Sequence, residues 1–350
     1  MKNSFVLLLL ISSFASAQDE VLKVSFSGYI DIYYSYDFNQ PSSEQKLPFM
    51  YNYNRQNEFN LNIGLLRAKV DYQNAYAVLS LQSGTYVDDN YANEKMKNIN
   101  EAYVGLFLDQ QKKHSVEVGI LPSYIGFETA VSHTNLTLTR SLLAENSPYF
   151  MTGIKYNYKP SDKWSFSGFV TNGWQRIQKP EKDVPPAFGT QISYKSSSNS
   201  VVNWSTFIGK EFNGMDYAMR YFSNLYWDKT WNSKWRTIAG FDYGLQENDE
   251  LSSRNSKWFS PVLITQYSIN SKWQTAFRTE YFQDKENVIM AANDEFKTLG
   301  FSINLDYLPN SKVKFRTEAR YFDSAKQLFL KDENNVDNDF FITSSLSFEF

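Results

Sequence analysis

Charged side chains in this 350-residue chain recur at alternate positions of otherwise apolar stretches. Arg278 and Glu280 alternate with Phe277, Thr279 and Tyr281, and Arg316, Glu318 and Arg320 sit between Phe315, Ala319 and Tyr321 in the same way. Lys155, Arg220 and Arg236 share that phase. Such residues can line an aqueous passage as a charged wall that sets ion preference, or can simply pair across neighbouring strands. A second ionisable group, Glu128, His133, Arg140 and Glu145, falls within one stretch, residues 122–148. Catalysis has little material. The chain has two histidines and no cysteine, and His114 and His133 lie in a turn and a loop without a metal-ligand spacing around them. Ser132 is only a sequence neighbour of His133, and a nucleophile needs a base placed in space. No glycine-rich phosphate loop occurs. We therefore expect no enzyme and assign no catalytic, cofactor-binding or metal-binding residue.

The elements that carry these charges are strands. Leu299, Phe301, Ile303, Leu305 and Tyr307 are apolar at every second position, with Gly300, Ser302, Asn304 and Asp306 between them. After a break at residues 308–312 containing Pro309, the alternation resumes with Lys314, Arg316, Glu318 and Arg320 on the polar face. Period-two alternation means a half-apolar strand, and the pair reads as a hairpin. The unit repeats along the chain, giving about sixteen strands. Near Gly64 the second strand switches phase, as at a β-bulge. Short turns alternate with long polar connections at 39–57, 88–98, 122–148, 175–185, 246–255, 284–294 and 324–338, a pattern typical of membrane barrels. The turn sequences resemble one another, and Trp164, Trp235 and Trp273 each follow a turn lysine, as suits a membrane interface.

Composition admits an exported β-protein. Aromatic residues make up 17% of the chain, and the net charge of −3 implies no polyanion partner, so no nucleic acid is expected. Lys2, the apolar run 5–11 and Ala15-Ser16-Ala17 read as a signal peptide over residues 1–17, leaving 18–350 as the barrel. A sheet of this many hairpins in lipid must close to satisfy its edges. The fold class expected is all-β, a transmembrane antiparallel up-and-down β-barrel with short periplasmic turns and long extracellular loops. Ile342, Ser344, Leu346, Phe348 and Phe350 share one face at the end of the chain.

That ending resembles the last strand of bacterial outer-membrane barrels, in which a final aromatic residue is read by the barrel assembly machinery. Phe348 and Phe350 are thereby the expected assembly signal. The opening Gly28-Tyr29-Ile30-Asp31, the segment Leu121-Pro122-Ser123-Tyr124-Ile125-Gly126-Phe127-Glu128 and the re-entry Pro148-Tyr149-Phe150-Met151-Thr152-Gly153 are similar to the pattern of the OmpL-like β-barrel porin family. The resemblance implies a water-filled channel in the bacterial outer membrane, passing small hydrophilic solutes or ions, with outer-membrane lipid around it. It also implies that the third long loop, 122–148, folds inward, with Glu128, His133, Arg140 and Glu145 as the constriction. Lys155, Arg220, Arg236, Arg278, Glu280, Arg316, Glu318 and Arg320 would be the pore wall. Glu128 and Glu145 are expected to face Arg278, Arg316 and Arg320 across the narrowing. A plugged barrel acting in binding or adhesion is the alternative, and a homo-oligomer stays open.

Overall fold

The computed structural model describes residues 22–214, 216–248, 255–290 and 292–350. The expected signal peptide, residues 1–17, and the new terminus at Gln18 lie outside them. The strands are β1 (Lys23–Asp37), β2 (Phe59–Tyr72), β3 (Ala75–Ser83), β4 (Ile99–Phe107), β5 (His114–Pro122), β6 (Phe150–Tyr158), β7 (Trp164–Thr171) and β8 (Ala187–Ser197). They continue with β9 (Ser200–Phe212), β10 (Tyr217–Thr230), β11 (Trp235–Glu247), β12 (Asn255–Ser268), β13 (Trp273–Asp284), β14 (Phe296–Tyr307) and β15 (Val313–Ser324). A small hairpin, β16 (Phe329–Lys331) and β17 (Asn334–Val336), precedes the last strand, β18 (Asn338–Glu349). The helices are short: α1 (Thr85–Asn90), α2 (Leu142–Glu145) and one 3-10 turn, Ser132–Thr134.

Sixteen of these strands pair antiparallel in chain order, and β18 closes on β1, so the sheet has no edge. The closure register runs from Tyr29 opposite Glu349 to Asp37 opposite Phe341. Alternation places Phe26, Phe59, Leu66, Phe277 and Ile303 on the exposed outer face. Asp31, Arg278, Arg316 and Arg320 are buried within the barrel.

The repeated short turns have a common cause. Asn232 Oδ1 accepts from the backbone N–H of Lys234 and Trp235 at 2.8 and 3.0 Å. Asn270 does the same for Lys272 and Trp273, and Asn310 for Lys312 and Val313. An asparagine that substitutes for backbone in this way fixes a tight reversal. The tryptophans then sit at one level of the wall, each against a tyrosine of the next strand: Trp164 on Tyr194, Trp235 on Tyr267 and Trp273 on Tyr307, with ring centroids 4.4, 4.6 and 4.8 Å apart. All three indoles are exposed, forming an aromatic girdle at the short-turn end.

The structure departs from the sequence reading at three places. The bulge in β2 is at Asn62, not Gly64: Asp31 pairs with Ile63 and Ile32 with Leu61, while Gly64 stays in the ladder opposite Ile30. Asn62 is fully buried and its side chain accepts from Tyr53 N at 2.9 Å. The third strand ends at Ser83 and α1 begins at Thr85, where the alternation alone extends it to Val87. The first long connection does not stay outside. Leu47, Phe49 and Met50 are buried against Phe296, Phe322, Phe329 and Phe341 at the long-loop end of the barrel.

Candidate functional site: the lumen and its inward loop

The segment 122–148 lies inside the barrel, and its backbone explains why. Loop backbone withdrawn from water must find partners for its N–H and C=O groups. Here the inward residues of β13, β14 and β15 supply them. Lys314 Nζ donates to His133 O at 3.0 Å. Arg316 donates to Ser132 O at 2.5 Å and Asn135 O at 3.2 Å. Asn304 accepts from Leu138 N at 3.1 Å, Glu318 from Thr139 N at 2.6 Å, and Glu280 from Leu142 N at 2.6 Å. Arg320 donates to Arg140 O at 2.9 Å. Alternate residues of β15, from 314 to 320, thus hold the loop as it rises from Ser132 to Arg140.

Thr139 is the centre of this docking. Its hydroxyl donates to Glu318 at 2.9 Å and accepts from Arg278 at 3.1 Å and Arg320 at 3.1 Å. Arg278 also donates to Thr137 Oγ1 and Thr139 O, at 3.0 and 2.7 Å. Ser141 caps α2, its hydroxyl accepting from Ala144 N at 3.3 Å, and Glu128 in turn accepts from Ser141 N at 3.0 Å and from its hydroxyl. On the opposite wall Tyr124 anchors the start of the loop. Its ring stacks on Phe169 with centroids 3.8 Å apart, and its hydroxyl donates to Thr206 O at 2.8 Å. A Cβ at Gly189 would lie 1.8 Å from the Tyr124 hydroxyl oxygen, so only glycine leaves that seat open.

The expected site residues separate into three groups. Glu128, Arg140 and Glu145 are buried in the loop, and His133 lies near the short-turn end, its Nε2 3.8 Å from Glu349. Burial lowers the His133 pKa, with Lys314 adding to the effect. Burial also raises that of Glu128, against the pull of Arg278. Lys155 pairs with Glu117 at 2.9 Å and Arg236 with Asp228 at 2.7 Å. Arg220 bonds Gln246 at 2.7 Å between the rings of Trp174 and Trp258.

The third group corrects the expectation that Arg278, Arg316 and Arg320 face Glu128 and Glu145 across an open narrowing. Arg278, Arg316 and Arg320 are fully buried beneath the loop, as are Glu280 and Glu318, and none of the five fronts an aqueous gap. Arg278 pairs with Glu318 at 2.7 Å and Glu280 at 3.2 Å, Arg320 with Glu280 at 2.6 Å, and Arg316 with Asp306 at 2.8 Å. Glu145 turns away from them, accepting from Tyr51 N, Asn52 and Tyr149 at 2.9, 3.1 and 2.8 Å. Desolvating a guanidinium costs several kcal/mol unless a carboxylate and further acceptors compensate, which is why these charges meet each other and loop carbonyls. Thr137, Thr139, Asn304, Asp306 and Tyr124 are not among the site residues expected from the sequence. Asn304 and Asp306 carry a signal, being polar at the inward phase of β14. The loop threonines carry none.

Three cavities bear on the lumen, two of them lined in part by the docked loop. One of about 380 Å³ is bounded by Ile63, Glu101, Phe127, Glu128, Arg140 and Tyr149. A larger one of about 850 Å³ opens at the short-turn end against β3 to β10, among Ser115, Asn157, Ser167, Gln191, Ser193 and Asn203. Tyr226 borders both. A third, of about 220 Å³, lies towards the long loops beside Glu145, Trp174 and Arg220. Among the described residues no cluster of three or more potential metal ligands is found.

This architecture recurs in solved structures. The outer membrane channel DcaP of Acinetobacter baumannii superposes with a TM-score of 0.63 at 11% identity, over 94% of this chain and 97% of that one. An anion-selective porin from Comamonas acidovorans gives 0.63 at 11% identity, over 94% and 100%. OmpF of Salmonella typhi, in complex with daunomycin, gives 0.61 at 13% identity, over 95% and 100%. At these identities the likeness establishes the fold. No curated protein matches the chain. The family described as "Putative beta-barrel porin-2, OmpL-like" matches residues 23–350, which is the whole closed sheet with its inward loop. The chain belongs to that family, and it is a porin of the bacterial outer membrane.

Proposed function

We propose that the 122–148 loop sets the cross-section of the pore, and that solutes diffuse passively along the β3 to β10 side of the lumen. The observation that supports this is the uneven docking of the loop, of which only the start, Tyr124 and Gly126, is bonded to β8, β9 and β10. Its hydrogen bonds to wall side chains concentrate on β13, β14 and β15, while the larger cavity is walled by the serines, asparagines and glutamine of β5 to β9. A sixteen-stranded barrel is wide enough to hold water, and a polar lining of this kind suits small hydrophilic solutes. Passage of this sort makes and breaks no covalent bond, so the protein is a channel and not an enzyme. The plugged adhesion barrel is not favoured, since the family is one of porins. The last strand, with Phe348 and Phe350, is the part presented to the assembly machinery.

Single-channel recording in planar bilayers tests the reading. Removal of residues 124–146, with the ends rejoined by a short glycine-serine link, should raise the conductance several-fold. Unchanged conductance in a normally inserted barrel overturns the role given to the loop.

A further inference from the structure

Two buried charged side chains of the lumen are only partly paired, and both residues border the same cavity. Arg140 is only 3% exposed, yet its Nε and Nη1 have no hydrogen-bond acceptor. Its Nη2 donates to Ala144 O at 2.6 Å, and its guanidinium lies over the Tyr149 ring, 3.6 Å from the centroid. The buried wall arginines 278, 316 and 320 each have a carboxylate within 3.2 Å, and Arg140 makes no such pair among the described residues. Glu128 is 6% exposed, and its Oε1 accepts nothing while Oε2 is taken by Ser141. Both residues border the cavity of about 380 Å³, whose other surfaces include Ile63, Phe127, Val131 and Tyr149. That volume is within the range of small-molecule sites, which join apolar walls to a few convergent polar groups.

A buried polar group without a partner is costly, so orphans of opposite sign in one cavity define the ligand that would complete them. A guanidinium edge calls for a carboxylate, which it can grip with two parallel hydrogen bonds. A free carboxylate oxygen calls for a cationic donor. A simple anion would satisfy Arg140 and be repelled by Glu128, and a simple cation would meet the reverse. We propose that the cavity is a binding site for a small zwitterion, an α-amino acid with an apolar side chain, its carboxylate on Arg140, its ammonium on Glu128 and its side chain against Phe127 and Val131. The proposal rests on the porin reading for its physiological sense: the site gives the passage a preference for such solutes over ions of one sign.

The test uses three probes of one size: phenylalanine, 3-phenylpropionate, which lacks the ammonium, and phenethylamine, which lacks the carboxylate. Each is added to the full barrel in planar bilayers, where occupancy interrupts the current, and is titrated calorimetrically into detergent-solubilised protein. Phenylalanine should bind at least tenfold more tightly than either analogue. Arg140→Gln should reduce phenylalanine to the level of phenethylamine, and Glu128→Gln, which can still accept from Ser141, to that of 3-phenylpropionate. A native protein that binds either analogue as well as phenylalanine overturns the proposal, as does an assembled Arg140→Gln barrel with unchanged affinity. Should Arg140→Gln fail to assemble, the three-probe comparison on the native chain decides alone. A barrel that assembles but does not conduct counts against the porin reading, and calorimetry then judges the site separately.

Discussion

Thr139 and Glu318 are joined by two hydrogen bonds from one residue, the backbone N–H at 2.6 Å and the hydroxyl at 2.9 Å, both to the same carboxylate oxygen. The pair ties the middle of the inward loop to the wall strand β15, in a buried setting where hydrogen bonds to charged groups contribute about 1.5–3 kcal/mol each. Thr139→Val keeps the shape and removes the hydroxyl, depriving Glu318 of a donor and Arg278 and Arg320 of an acceptor. We expect loop docking to weaken by about 2–4 kcal/mol. Single-channel recordings should show larger or noisier openings, and protease should cut within 123–146 more readily.

Reversing the wall charges should act on the loop before it acts on ions. Arg316→Glu with Arg320→Glu places two carboxylates against loop carbonyls and against Asp306 and Glu280, where guanidiniums now donate. The expected result is a rise in conductance, because the loop is released, with any change in ion preference following from that. A shift in reversal potential at unchanged conductance is the outcome that contradicts this view.

The end of the sheet offers a test of closure. Phe350 exchanges backbone hydrogen bonds with Gly28 at 2.9 and 3.0 Å, and a Cβ built on Gly28 would come within 2.2 Å of its ring. Phe350→Ala should lower the fraction migrating as the compact, heat-modifiable band on denaturing gels. Gly28→Val should do the same by displacing the ring. Conductance of the barrels that do assemble should be little altered.

Acidification should loosen the first long loop. Lys46 is buried there, its Nζ 2.6 Å from Ser35 Oγ and 4.2 Å from the Phe341 ring centroid. Burial pushes its pKa down to about 7, against the pull of Asp37 and Asp339 and with Arg320 and Glu318 also nearby. A lysine whose pKa falls on docking binds fewer protons docked than released, so docking strengthens as pH rises from about 7 towards the free lysine value near 10.4. Below pH 7 the charged form carries its full desolvation cost. Proteolysis between residues 39 and 57 should therefore be faster at pH 6 than at pH 9, and Lys46→Met should flatten the dependence.

The barrel was legible because alternation is a local property. Leu299 to Tyr307 announces its two faces without reference to any other strand, and Asn232, Asn270 and Asn310 announce their turns. The bulge falls at Asn62 because its cause lies outside the strand: Asn62 turns inward to accept from Tyr53 N in the loop that precedes β2, whereas the nearby Gly64 stays in the ladder. The inward course of residues 39–57 had a signal in the apolar run Leu47-Pro48-Phe49-Met50, set within an otherwise polar connection. The identity of the loop's anchors could not be read in advance. Inward charges on β13 and β15 are evident, but whether they face water or a threonine depends on a segment more than a hundred positions earlier.

That separation along the chain has a consequence for timing. The 122–148 segment follows the fifth strand, yet most of what holds it comes from the thirteenth, fourteenth and fifteenth. Contacts so remote in sequence form late, because the intervening chain must first be ordered. Until β15 is in place, the backbone carbonyls of Ser132, His133, Asn135 and Arg140 lack the side chains that hold them. The seating of the loop is thus one of the last events of assembly, and a barrel stalled before its final hairpins would be more permeable than the finished one.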